Sequence, residues 1–413
     1  NGTARWSAPG FELPNPPYVD LTGKAAYVDE NEDGSYTGGE PLYDTIQAAV
    51  DAAPSFPIII FDGSYTLTST LNVNQSVTVA GESASGVTID AAGTGGYGIR
   101  VYADNVTLKN FTLIPPSTRH YAIHGGPDAT VKHVNLTLEN ITIDGANYTA
   151  FDIHGYDGVT LTNLTALNST DGNGIALTGC SNFNVTGCTT QGNDWGGVAF
   201  YVSTTLDPGE GTSGTFDMAA NSIDEFAYAQ DESDLDNSVT VNNANYEIVN
   251  RYASDASTDG TSTFWNYTDK DQAYAESIAL GLNSKMGNEQ SAIKDLASGE
   301  YIVVDGLGIQ AAIDAVSPGG DVNVESGSYS GSLTIDKSIT INGAQAGVPA
   351  DGRAGSESVI DASGYAHAID ILTSNVTLDG LEIVGDTVTS MGVFINKTAG
   401  ATSGIDILNN KIH

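Results

Sequence analysis

Short β-rich runs recur along the chain at a nearly constant step, and this recurrence restricts the fold more than any other feature of the sequence. Gly98-Ile99-Arg100-Val101, Ala122-Ile123-His124, Ala150-Phe151-Asp152-Ile153, Gly174-Ile175-Ala176-Leu177 and Gly197-Val198-Ala199-Phe200 set Ile99, Ile123, Phe151, Ile175 and Val198 at steps of 24, 28, 24 and 23 residues. Each step fits one coil of a β-solenoid. Further strands follow within the coils, such as Asn105-Val106-Thr107-Leu108, Leu136-Thr137-Leu138, Val159-Thr160-Leu161 and Phe183-Asn184-Val185. Alternation of period two sends Val, Ile and Leu inward and Thr, Asn and Asp outward. Coils stacked about 4.8 Å apart give every backbone amide a partner above or below. Corner asparagines tolerate left-handed backbone angles and bond to one another in ladders.

A coarser repeat overlies the fine one. Ile46-Gln47-Ala48-Ala49-Val50-Asp51-Ala52 returns as Ile309-Gln310-Ala311-Ala312-Ile313-Asp314-Ala315, and Gly63-Ser64-Tyr65 as Gly327-Ser328-Tyr329. Ser76-Val77-Thr78-Val79 matches Ser338-Ile339-Thr340-Ile341, with Gly81 and Gly343 just beyond, and Asn105 to Leu108 matches Asn375 to Leu378. The expected fold is all-β: two tandem parallel β-helix units, each opened by a short amphipathic helix that covers the exposed strand edge of its first coil. Boundaries fall at 1–40 for an N-terminal arm, 41–202 for the first unit, 203–304 for a small mixed connector, and 305–413 for the start of the second. The connector carries a dense acidic segment (Asp224, Glu225, Asp231, Glu232, Asp234, Asp236) and short strands around Tyr246 and Phe264. A helix is predicted over Asp271 to Leu282. The strand-like pattern at Asn409 to His413 predicts that the parent polypeptide is longer.

These repeated elements, the I-Q-A-A-[VI]-D-A helix, the G-S-Y turn and the S-[VI]-T-[VI] strand with its glycine, resemble the opening of right-handed parallel β-helix proteins of the pectin-lyase-like superfold. The likeness extends in particular to repeat units of large secreted prokaryotic surface proteins. It implies the fold; this superfold hosts enzymes and passive stalks alike.

Composition narrows the setting. With 51 Asp+Glu against 14 Lys+Arg, the formal charge of −37 repels phosphates and argues against nucleic acid and anionic membrane partners. No apolar run reaches membrane-span length, so an extracellular or cell-surface location is expected, without membrane insertion. The two cysteines, Cys180 and Cys188, share a T-G-C context that predicts small buried residues at equivalent turns. Thirteen N-x-[ST] sequons follow from turn asparagines preceding outward threonines and do not by themselves establish glycosylation.

Asp29 to Glu40 has the spacing of a calcium loop: oxygen-bearing side chains at positions 1, 3, 5 and 12 and glycine at 6. Asp29, Asn31, Asp33 and Glu40 would supply side-chain oxygens, Ser35 its carbonyl, and Thr37 a direct or water-mediated contact. Ca2+ is the cofactor this pattern predicts, in an isolated loop that pins the N-terminal arm.

The strand alignment also puts outward residues in columns, Arg100, His124 and Asp152 in one and His154, Thr178 and Tyr201 in its neighbour. Residues 97 to 156 hold four of the basic residues (Arg100, Lys109, Arg119, Lys132) and four histidines (His120, His124, His133, His154) against five acids. That window is nearly neutral in a strongly negative chain, which admits an acidic sugar. Phe151-Asp152-Ile153-His154 resembles the F-D-x-H segment of mannuronan C-5 epimerases, secreted calcium-dependent β-helices. By that resemblance Asp152 and His154 take catalytic positions, with Arg100 neutralising a carboxylate. The chain departs from the family at Ile153 (proline there), at Thr149 (tyrosine there, with Tyr148 one step off) and near Asn173 (aspartate there, with Asp171 two positions away).

Two functions of different class follow. One is a non-catalytic, calcium-stabilised structural or adhesive module of a larger surface protein, with calcium, extracellular polysaccharide or copies of itself as partners. The other is a uronate epimerase or lyase using Asp152, His154, Arg100, His124 and Tyr201 on the outer face of the first unit.

Overall fold

Parallel ladders pair Ile99 with Ile123, Ile123 with Phe151, Phe151 with Ile175 and Ile175 with Val198, and all five side chains are buried. The interior row expected from the repeat is therefore present. The structure is a computed structural model that describes residues 21–52, 55–126, 130–223, 227–230, 235, 237–250, 263–267, 291–303, 308–387, 391–396 and 402–413. Strands dominate it, and the chain divides into two compact units, Asn1–Glu225 with Leu235–Asn242 and Phe226–Asp234 with Asn243–His413.

In the first unit the parallel coils build three walls. One holds the row above. A second stacks Leu108, Leu138, Leu161 and Val185, and a third stacks Leu113, Ile143 and Ala166. The strands Val106–Ile114 and His133–Asp144 each run through two walls and bend at Asn110 and Asn140, whose φ angles are 62° and 51°. Asparagine suits this corner because it accepts the left-handed conformation and keeps a bonding side chain. Asn140 donates to Asn110 at 3.0 Å and Asn163 to Asn140 at 3.1 Å, while Asn135 donates to Asn105 at 2.8 Å. Five sequon asparagines, Asn105, Asn110, Asn135, Asn140 and Asn163, are thus engaged at corners.

The coarse repeat is visible as repeated contacts. In the helix Ile46–Asp51, Gln47 accepts from the backbone N–H of Asn72 and donates to its carbonyl; in the helix Ile309–Ala315, Gln310 does the same to Thr334. Tyr65 donates to the carbonyl of Phe61, and Tyr329 to that of Glu325. A Cβ on Gly81 would lie 1.9 Å from the carbonyl oxygen of Asn110, and one on Gly343 2.4 Å from that of Gly380. The next coil passes too close for any side chain.

The second unit has its own three parallel walls, through Val322, Ile341 and Leu378, through Tyr329, Ile360 and Ile383, and through Leu333, Ile369 and Val393. It also contains antiparallel pairing, of Tyr246–Asn250 with both Thr263–Tyr267 and Ser291–Asp295. The strands expected around Tyr246 and Phe264 are these. The acidic segment and the helix expected over Asp271 to Leu282 lie outside the described residues.

Parallel pairing in the first unit continues past the boundary read at 202. Ser213–Asp217 pairs with Ser181–Thr186, and Ser238–Asn242 pairs with Ser213–Asp217 in turn. The irregular stretch 203–212 interrupts the step and hides this continuation. Cys180 and Cys188 are free and buried, as their context predicts, and burial pushes their thiols up to about 12 and about 11.

Candidate functional site on the outer wall of the first unit

Strand register fixes which outward side chains become neighbours. Arg100 aligns with His124 and His124 with Asp152, and beside them His154 aligns with Thr178 and Thr178 with Tyr201. Both columns read from the sequence exist. The alternation rule places them in solvent, but His124 and Asp152 are buried.

The covering comes from turns that precede the strands. Tyr97 and Tyr121 stack on His124 from positions two residues before the interior isoleucines, each with its ring centroid 5.1 Å away. Tyr148 stacks on Tyr121 at 4.7 Å, and Trp195 meets Tyr148 edge-on at 5.9 Å. This aromatic wall spans successive coils and excludes water from one side of the column.

Behind it, His124 Nδ1 and Asp152 Oδ2 share a hydrogen bond of 2.6 Å. His154 Nε2 lies 3.7 Å from the same carboxylate oxygen, and the side chain is 30% exposed. Asp152 therefore sits between a buried and an accessible imidazole. Burial first, then the charge of Asp152 and the hydroxyl of Tyr148, hold the Tyr121 phenol far above its usual range, so it stays protonated.

The remaining candidates divide. The Arg100 guanidinium lies 4.3 Å over the Tyr102 ring and 4.9 Å over Tyr97, beside the cluster. Tyr201 donates to Asn173 Oδ1 at 2.8 Å. Asp171 forms an ion pair with Arg119, whose guanidinium lies 4.2 Å over Tyr148. Tyr97, Tyr121, Tyr148, Trp195 and Arg119 were not singled out as site residues from sequence. For the four aromatic residues the signal is a ring two or three positions before Ile99, Ile123, Phe151 and Val198; Ile175 lacks one, and Arg119 carries no such signal.

On a different wall, the loop 29–40 joins the antiparallel strands Ala26–Val28 and Leu42–Tyr43. Asp29 accepts from the backbone N–H of Asp33 at 3.2 Å and of Gly34 at 2.8 Å; Asn31 accepts from Asp33 at 3.0 Å and Asp33 from Ser35 at 2.8 Å. Glu40 accepts from Thr37, and Asn31 donates to the Thr37 hydroxyl. Glu32 and Gly34 take positive φ, which lets the loop curl. Among the described residues no group of three or more His, Cys, Asp or Glu side chains is disposed to hold a metal ion.

No family model and no curated protein matches the chain. Among solved structures it is similar to the mannuronan C-5 epimerase AlgE4 A-module of Azotobacter vinelandii, at 14% identity and a TM-score of 0.33 over 89% of this chain and 92% of that one. It is also similar to the catalytic domain of a GH87 alpha-1,3-glucanase, at 12% identity and a TM-score of 0.35 over 89% and 64% of the two chains. A third is the PL6 family alginate lyase AlyGC, at 10% identity and a TM-score of 0.20 over 89% and 75%. All three are right-handed β-helix proteins that act on polysaccharides. At such scores these likenesses assign no residue a role, and the parallel registers carry the fold.

Proposed function

We propose that the outer wall of the first unit is a proton-transfer site for uronate residues of an acidic extracellular polysaccharide, an epimerase or a lyase. The observation that supports it is the Asp152 carboxylate, buried between His124 and His154 in a chain of net charge −37. Burying a carboxylate is unfavourable unless it is paired, and a solenoid wall does not need one. Pairing to His124 fixes its orientation, and the exposed edge of His154 is where a sugar ring can meet the pair.

Chemistry at this site starts with neutralisation of the uronate carboxylate by Arg100, which makes the C5 proton removable. His154, held by Asp152, takes that proton, and the electron pair of the broken C–H bond spreads into the carboxylate. Return of a proton to the opposite face of C5 gives epimerisation. Alternatively the pair forms a C4–C5 double bond, the C4–O bond breaks, and the departing oxygen takes a proton, which gives elimination. Tyr121 and Tyr148 are the phenols placed to give one.

The test is incubation with alginate, pectin and chondroitin in D2O, following C5 deuterium by NMR and unsaturated uronate by absorbance. Exchange or absorbance with one polymer is expected; silence across all three leaves the wall without this chemistry. A second reading, a non-catalytic module of a larger surface protein, is supported by the repeated glutamine contacts at Asn72 and Thr334, which serve a framework and not a site. No helix among the described residues is long and apolar enough to cross a membrane.

A further inference from the structure

Two buried oxygen atoms of the hairpin around loop 29–40 have no hydrogen-bond partner among the described residues: the hydroxyl of Tyr27 and Oε1 of Glu40. Tyr27 is fully buried and Glu40 is 8% exposed. A carboxylate oxygen left in that state is strongly unfavourable, and no donor among the described residues reaches it. Both belong to the hairpin whose loop carries Asp29 and Asp33, and Asp29 is itself buried. What this place lacks is a cation.

We infer that the loop 29–40 takes up one calcium ion that draws Glu40 Oε1, Asp29 and Asp33 together and satisfies the unpaired Glu40 oxygen. The other oxygens come from Asn31, the Ser35 carbonyl and Thr37, so the set mixes three carboxylates with neutral donors. Such a flexible set suits calcium; magnesium demands a small octahedral cage. The carboxylates are not gathered into a metal-holding group in the structure, and their acceptor bonds to the loop's own N–H groups leave lone pairs for an ion. Binding therefore tightens the loop.

Tightening has a structural consequence. Asp29 follows the strand Ala26–Val28 and Glu40 precedes Leu42–Tyr43, so an ion between them clasps the hairpin. Ala26–Val28 pairs with Ile58–Ile60, which is itself in the parallel wall through Val79. Tyr36, from within the loop, packs on Tyr27 at 5.5 Å and on Phe61 at 6.2 Å. Calcium thus fastens the antiparallel hairpin to the first coil. Catalysis at Asp152 and calcium at Glu40 stand or fall separately, since they use different side chains on different walls.

The experiment uses the full chain stripped of divalent ions, titrated with CaCl2 in a calorimeter at 150 mM KCl, with terbium luminescence excited through tyrosine as a second readout. One saturable equivalent is expected, with a dissociation constant between roughly 10⁻⁶ and 10⁻³ M, along with tyrosine-sensitised terbium emission that calcium displaces. Glu40→Gln and Asp33→Asn each weaken binding by about tenfold or more, while Asp406→Asn, an exposed acid of the second unit, leaves it unchanged. Asp33 is exposed, so its variant keeps the test alive where Glu40→Gln misfolds. Absence of a saturable signal overturns the site in favour of a trapped water, and equal weakening by all three variants overturns it in favour of diffuse counter-ions.

Discussion

The first unit pairs His124 with Asp152 at 2.6 Å and the second pairs His367 with Asp370 at 2.7 Å. The bonds match, but the surroundings do not. His124 and Asp152 come from successive coils, their side chains are 7% and 5% exposed, and Tyr97 and Tyr121 stack on His124 with Tyr148 stacked on Tyr121. His367 and Asp370 are three residues apart on one strand and 26% and 32% exposed, and the ring of Phe394 lies 4.4 Å from that of His367. A His–Asp bond becomes chemically useful where water is excluded and a second imidazole meets the same carboxylate, since electrostatic interactions strengthen as the local dielectric falls.

Substitutions can break that comparison at several depths. Phe151→Ala beneath the first site and Ile369→Ala beneath the second should each cost about 2–5 kcal/mol by denaturant unfolding, because both positions are interior to their coils. Comparable losses in the two units are expected; a negligible loss at either position shows that its row is not a packed core.

Alkaline pH separates the units by a different route. Both cysteines lie in the first unit, and burial raises their folded-state values to about 11 and about 12 from an ordinary 9.0. A raised thiol contributes stability that is complete below pH 9 and is lost as pH rises towards 11–12, by up to about 1.4 kcal/mol per pH unit for each thiol. Unfolding monitored from pH 8 to 10, below the range where the raised phenols add their own slope, should show this loss, and Cys180→Ala with Cys188→Ala should reduce it.

Removal of one partner gives a smaller contrast. His124→Ala leaves Asp152 buried without its 2.6 Å partner and should cost about 1–3 kcal/mol, whereas His367→Ala should stay within about 0.5 kcal/mol. Equal costs would mean that the aromatic cover does not change the worth of the pair.

How much of this was legible in the sequence depends on which residues carried the signal. The interior row from Ile99 to Val198 was readable because a parallel solenoid repeats its apolar positions at the length of a coil. Corner asparagines such as Asn110 and Asn140 were readable because few residues accept positive φ. Burial of His124 and Asp152 was not, since period two reports the direction of a side chain and not what later covers it. Tyr97 and Tyr121 precede their strands by two residues but Tyr148 and Trp195 by three, which blurs the column. Similarly, the spacing from Asp29 to Glu40 showed the oxygens of the loop, while the unpaired atoms of Glu40 and Tyr27 emerged only from packing.

The most direct measurement is deuterium incorporation at C5 of a uronate polymer by three proteins in parallel: the unaltered chain, Asp152→Asn and Asp370→Asn. The account predicts exchange by the unaltered chain, a loss of at least about 100-fold in Asp152→Asn, and no change in Asp370→Asn. Equal exchange by all three, or none by any, contradicts it.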